Sequence, residues 1–118
     1  MAKAADIVQG FMGAMGKGDF VAARRFLDSN LSFRGPIETF QHADDYLESL
    51  KKLHPIIERV DMKKIFVDGD DVCLLYDMTT KTPAGTVFIA EWHHVTGDKI
   101  SAIRVVFDAR PFAAMFAK

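Results

Sequence analysis

The chain changes its hydrophobic period once, at Pro55, and this change limits its possible folds more than any other feature. Ahead of it, apolar residues recur three and four positions apart. Ile7, Val8, Phe11, Met12 and Met15 form one stripe, so residues 4–15 read as an amphipathic helix. Gly10 and Gly13 lie inside that helix, where each costs about 1 kcal/mol against alanine. Gly16 and Gly18 end it, and Asp19 is placed to cap a second helix with Phe20, Ala23, Phe26 and Leu27 on its inner side. Asp28-Ser29-Asn30 stops that helix, and Leu31-Ser32-Phe33-Arg34 reads as a short strand closed by Gly35-Pro36. A third helix runs from Ala43 to Leu53 with Tyr46, Leu47, Leu50 and Leu53 inward, and Pro55 prevents its continuation. Beyond Pro55, residues 56–67, 72–81, 86–95 and 99–108 are rich in Ile, Val, Phe and Thr. The junctions Asp68-Gly69-Asp70, Thr82-Pro83-Ala84-Gly85 and Thr96-Gly97-Asp98 are too short for anything but antiparallel neighbours, which predicts a four-stranded meander. Helices first and a sheet second make an α+β fold, expected here as a single domain over residues 1–118.

Charge and cysteine content narrow the function. With 15 Lys and Arg against 16 Asp and Glu, the formal net charge is −1, which gives no basic excess for a phosphate backbone and argues against nucleic acid. One cysteine, Cys73, excludes an internal disulfide and a cysteine zinc cluster. His93 and His94 are neighbours on a strand and point to opposite sides, and no other spacing suits metal ligands, so neither metal nor cofactor is expected. No segment reaches the length of about 20 apolar residues that a membrane span needs. Asp6, Gln9 and Gly10 interrupt the N-terminal stretch, so it does not read as a signal peptide and the chain is expected in the cytoplasm.

The two faces of the sheet differ less than a half-solvated sheet requires. Along residues 72–80, Val72, Leu74, Tyr76, Met78 and Thr80 alternate with Cys73, Leu75, Asp77 and Thr79. Along residues 86–95, Val87, Ile89, Glu91, His93 and Val95 alternate with Phe88, Ala90, Trp92 and His94. Helices covering one face and a second copy of the chain covering part of the other account for this, so a homodimer through the outer face is expected.

The order helix, helix, short strand, helix and four long strands resembles the nuclear transport factor 2-like superfamily, within it the SnoaL-like and ketosteroid isomerase-like branch. The stretches that carry the resemblance are KGDFVAARRFL, LSFRGP, the QHADDYL helix start and EWHHVTGDKISAIRVVFD. The resemblance implies three N-terminal helices packed on a strongly curved, mainly antiparallel sheet (a cone-shaped α+β barrel, or cystatin-like roll). It also implies a conical cavity for a small apolar organic molecule and dimerisation through the outer sheet face. On this basis Phe11, Met15, Phe33, Leu74, Met78, Ile89, Ile103, Val105 and Phe107 are expected to line the cavity. Carried over residue by residue, the tyrosine of the isomerase oxyanion hole falls at Phe11, its general base near Gly35 and its oxyanion aspartate at Glu91. The last-strand aspartate shared by SnoaL cyclases and limonene epoxide hydrolases falls at Val105. Only Glu91 retains a group able to move a proton.

Glu91, His93 and Tyr76 are therefore the candidate catalytic set. If the Lys81–Thr86 turn pairs residue 76 with residue 91, Tyr76 and Glu91 stand opposite each other. A carboxyl among Met78, Ile89, Val105 and Phe107 should then have a raised pKa, with His93 as proton relay. Two structural readings compete: Glu91 and His93 point outward while Phe88, Ala90 and Trp92 fill the core, or Tyr76 and Glu91 form a satisfied internal pair. The turn at residues 96–98 leaves the partner of Glu91 open, Arg104 for a two-residue loop or Ile103 for a three-residue one. Asp108 is expected to cap a short tail in which Phe112, Met115 and Phe116 close over the cavity mouth or the dimer seam. A proton-transfer or hydrolytic enzyme, a non-catalytic binding pocket and a dimerisation module all remain open.

Overall fold

The stripe of the first helix is buried as its spacing demands. In a computed structural model describing residues 3–113, helix α1 (Lys3–Gly16) buries Ala4, Ala5, Val8 and Phe11. Asp19 caps helix α2 (Phe20–Arg24) by accepting a hydrogen bond from the Ala22 amide at 3.0 Å. This helix is shorter than its apolar pattern predicts. Arg25 and Phe26 turn out of it through i→i+3 bonds to Ala22 and Ala23, and Leu27 already belongs to strand β1 (Leu27–Arg34). Pairing won over helix propensity there, because Leu27 lies beside Ile100 and the Ile100 amide donates to the Phe26 carbonyl at 2.8 Å. Strand β2 (Thr39–Phe40) and helix α3 (Ala43–Leu53) follow, and a 3-10 turn at His54–Ile56 leads into the sheet.

Strands β3 (Ile57–Asp68), β4 (Asp71–Thr80), β5 (Thr86–Thr96) and β6 (Lys99–Val106) form the expected meander. The whole sheet has six strands in the order β2-β1-β6-β5-β4-β3, antiparallel throughout except where β1 runs parallel to β6. Register shifts interrupt β1–β6, β3–β4 (twice) and β5–β6, and such bulges bend a sheet. Helix α1 packs against β4, β5 and β6, while α3 packs against β1. The shared core joins Val8 and Phe11 of α1 to Val72 and Leu74 of β4 and to Ile100 and Ile103 of β6.

The register overturns both expected partners of Glu91. Thr80 pairs with Gly85 (amide to carbonyl, 2.8 Å) and its hydroxyl reinforces the contact at 3.0 Å, so the β4–β5 loop closes one residue earlier than predicted on each strand's count. Glu91 therefore stands opposite Leu74, and Tyr76 stands opposite Ile89. On the other side, Gly97 and Asp98 do form a two-residue turn, with Gly97 at φ +66°. A bulge between His94 and Val95 then shifts the pairing by one residue, placing Glu91 opposite Val105 and Trp92 opposite Arg104. Asp108 accepts from the Arg110 amide at 3.0 Å and heads a 3-10 turn (Arg110–Phe112) whose Phe112 packs edge-on against Phe107. Met115 and Phe116 lie outside the described residues.

Candidate functional site

The choice between the two sheet faces falls against the apolar pattern. Along β5, Val87, Ile89, Glu91, His93 and Val95 are buried, whereas Phe88 and Trp92 are about half exposed. Glu91 is 6% exposed and His93 fully enclosed. Two polar side chains pay the desolvation of this inner face because they satisfy each other and a third. Tyr76 Oη donates to Glu91 Oε1 at 2.5 Å, and His93 Nε2 lies 2.5 Å from Glu91 Oε2. Tyr76 and Glu91 are diagonal rather than directly opposed neighbours, and the length of the phenol spans the difference.

Protonation follows from that geometry. Burial pushes the Glu91 carboxyl up, but the pull of the His93 ring and the hydrogen bonds from His93 and Tyr76 outweigh it and hold the group below its ordinary value. This corrects the expectation of a raised value, which counted the apolar neighbours and omitted the two donors. An ionised carboxylate only accepts, so Nε2 of His93 carries the proton between them. Nδ1 of His93 is buried with no partner among the described residues. The Tyr76 phenol is pushed well up by burial, by the Glu91 charge and by its own hydrogen bond, and remains a donor.

Tyr76 and Glu91 open onto a pocket of about 700 Å3 between α3, the β1–β2 segment and the sheet. Of the side chains expected to line it, Phe33, Met78, Ile89, Val105 and Phe107 do so. Phe11, Leu74 and Ile103 lie instead in the closed core, with Phe11 edge-on to His93 at 6.2 Å. Met15 is half-buried on α1 and does not reach the pocket wall. His93 stands behind Glu91, outside the lining.

The sequence reading missed Tyr46 as a site residue. It lines the pocket from α3, is stacked on Phe33 with ring centroids 4.6 Å apart, and is 4% exposed. Burial and then the Glu91 charge push its phenol well up, so it too stays protonated. Its signal was present: Tyr46 is the one hydroxyl on the stripe Tyr46, Leu47, Leu50 and Leu53. The mouth carries Glu38, Asp45, Glu48 and Lys52, with Glu38 bonded to Ser49 and Glu48 to Lys51, each at 2.9 Å. No three His, Cys, Asp or Glu side chains converge into a metal-binding group among the described residues.

Comparison with known proteins follows this geometry. Residues 8–103 match the model of the SnoaL-like domain, and the chain belongs to that family within the nuclear transport factor 2-like superfamily. It is similar to the crystal structure of a nuclear transport factor 2-like protein of unknown function from Cytophaga hutchinsonii, at 28% identity and a TM-score of 0.83, covering 92% of this chain and 93% of that one. A steroid delta-isomerase from Pseudomonas aeruginosa shares the fold at 18% identity and a TM-score of 0.77, over 92% of this chain and 81% of that one. An LEH-like epoxide hydrolase from M. tuberculosis does so at 18% identity and 0.77, over 92% and 85%. A search of curated proteins finds no match.

Proposed function

We propose that this SnoaL-like domain binds a small, largely apolar organic molecule in the pocket beside α3, with Glu91 as the polar anchor. One observation carries the reading: the Glu91 carboxyl group, held by Tyr76 and His93, lies on the wall of a pocket of about 700 Å3. That volume is within the usual range for small-molecule sites. Steroids and epoxides, named for two proteins of the same fold, are small organic molecules, which agrees with it. Binding is favoured over acid–base chemistry by the direction of the pKa shifts. Glu91 moves down and both tyrosines move up, away from neutrality, whereas a general acid or base works best near the operating pH.

A proton-transfer reading has one specific support. A ligand that draws the Tyr76 hydroxyl to itself removes one of the two donors holding Glu91 low. The freed carboxylate could then take a proton from the ligand and return it elsewhere on the same molecule, with no co-reactant. Fluorescence titration with 2-naphthalenemethanol tests the pocket. Saturable binding is expected in the wild type and at least a tenfold weakening in Leu50→Trp, which fills the mouth; equal affinity in both would place the ligand elsewhere and end the reading. Any turnover found with a bound substrate is then compared in Glu91→Gln, where its loss separates chemistry from binding alone.

The outer sheet face supports a further proposal, a homodimer. Phe66, Phe88, Trp92 and Val106 are each 47% exposed or more, and they stand on β3, β5 and β6 across one face. Several large apolar side chains exposed on one sheet face are what a contact area between copies would use.

A further inference from the structure

We propose that the ligand of this pocket is an organic cation: an ammonium group, primary or more highly substituted, on an apolar body. The proposal rests on the pocket reading above and adds the chemical class of what enters.

Three independent features of the pocket converge on it. The first is the anionic wall. Glu91 receives hydrogen bonds from Tyr76 and His93 and presents its carboxyl group on the pocket wall. A buried carboxylate gains from an opposite charge brought close, because little water screens the pair. An ammonium ligand supplies that charge, whereas a carboxylate or phosphate ligand would bring repulsion to the same spot.

The second feature is the balance at the mouth. The chain as a whole is nearly neutral, with 15 basic and 16 acidic residues. The charged residues that line the pocket are not balanced: among the described residues, Glu38, Asp45, Glu48 and Glu91 face a single base, Lys52. Lys51 offsets Glu48 through their ion pair, and neither lysine is among the hydrogen-bond partners of Glu91. The pocket therefore presents negative potential from its rim to its wall, which raises the local concentration of cations.

The third feature is aromatic. Phe33, Phe40 and Tyr46 form one packed wall, with centroids 4.6 Å apart for Phe33–Tyr46 and 6.2 Å for Phe40–Tyr46, and Phe107 with Phe112 forms a second at 5.8 Å. All five line the pocket. The faces of aromatic rings attract cations, most strongly where water is excluded, and carry no such attraction for anions. Aromatic rings and a carboxylate together discriminate an ammonium from an isosteric neutral or acidic group.

The test compares three ligands of nearly equal size at neutral pH: 2-naphthylmethylamine (cationic), 2-naphthalenemethanol (neutral) and 2-naphthoic acid (anionic). Dissociation constants are measured by calorimetry on the wild-type protein and on Leu50→Trp. The proposal expects the amine to bind at least tenfold tighter than the acid, the alcohol to fall between them, and Leu50→Trp to weaken the amine. In Glu91→Gln the ratio of acid to amine dissociation constants should shrink to under threefold. The wild-type ranking needs no variant, so a Glu91→Gln protein that fails to fold leaves the test intact. Binding of the acid as tight as the amine, or of the alcohol tighter than both, overturns the cation assignment while the pocket reading stands. Binding of none of the three, or binding indifferent to Leu50→Trp, overturns both.

Discussion

Glu91 is held by two donors whose loss has different consequences. Replacing it with alanine strands the Tyr76 hydroxyl and the His93 Nε2–H in a buried setting, at a cost of about 2–4 kcal/mol. Glutamine keeps an acceptor for one of them and should cost less. Urea unfolding at neutral pH is expected to rank wild type above Glu91→Gln and Glu91→Ala last. The pH dependence has a definite sign. The folded-state pKa of Glu91 lies below its ordinary value of 4.5, so its contribution is complete above that value and is lost as the pH falls through the lower, folded one. The stability gap between wild type and Glu91→Gln should narrow on acidification below about pH 4.5; a gap that widens there would mean that the buried carboxyl is neutral in the folded state. The sequence singled out Tyr76, Glu91 and His93 but could not show how they meet. Their contact depends on a diagonal reach across β4 and β5, and a linear pattern records which face a residue occupies only after the register is known.

At the scale of elements, α3 and the four long strands were legible because local pattern and tertiary burial agree there. The third helix runs from Ala43 to Leu53 as its stripe requires, and the strands begin and end within a residue or two of their turn signals. The second helix was not, because Phe26 and Leu27 continue a helical pattern while their backbone is recruited by β6. The partner of Glu91 was not legible either. A bulge at His94–Val95 adds a residue to one strand without altering the alternation that identifies both. Element-level stability has a simple handle in α1. Gly13 is exposed, lies within the helix and has open space where a Cβ would go. Gly13→Ala should therefore stabilise the protein by about 0.5–1 kcal/mol, read as a higher urea midpoint at unchanged slope. An unchanged or lower midpoint would mean that the α1 surface at Gly13 is covered by something else.

For the molecule as a whole, the outer sheet face exposes Phe66, Phe88, Trp92 and Val106, the side chains on which the proposed homodimer rests. If two copies meet there, sedimentation at micromolar concentration should give twice the 13.2 kDa chain mass. Placing a charge on the half-exposed Phe88 (Phe88→Glu) should shift the population to single chains, since an unpaired charge in an apolar contact is costly. A wild type that sediments as one chain would remove that assembly. The fold itself is expected to survive Phe88→Glu, because the side chain points away from the core strip of β5.

The parallel contact between β1 and β6 also sets a timetable. Leu27–Arg34 is made before its neighbour in the sheet, Lys99–Val106, with α3 and strands β3–β5 synthesised in between. Until β6 emerges, β1 and β2 have no route to the β3–β5 meander, because among the described residues β6 alone lies between them in the sheet order. A nascent chain stopped after β5 would therefore carry two unjoined pieces of sheet, and folding to the finished form must wait for β6 to leave the exit tunnel.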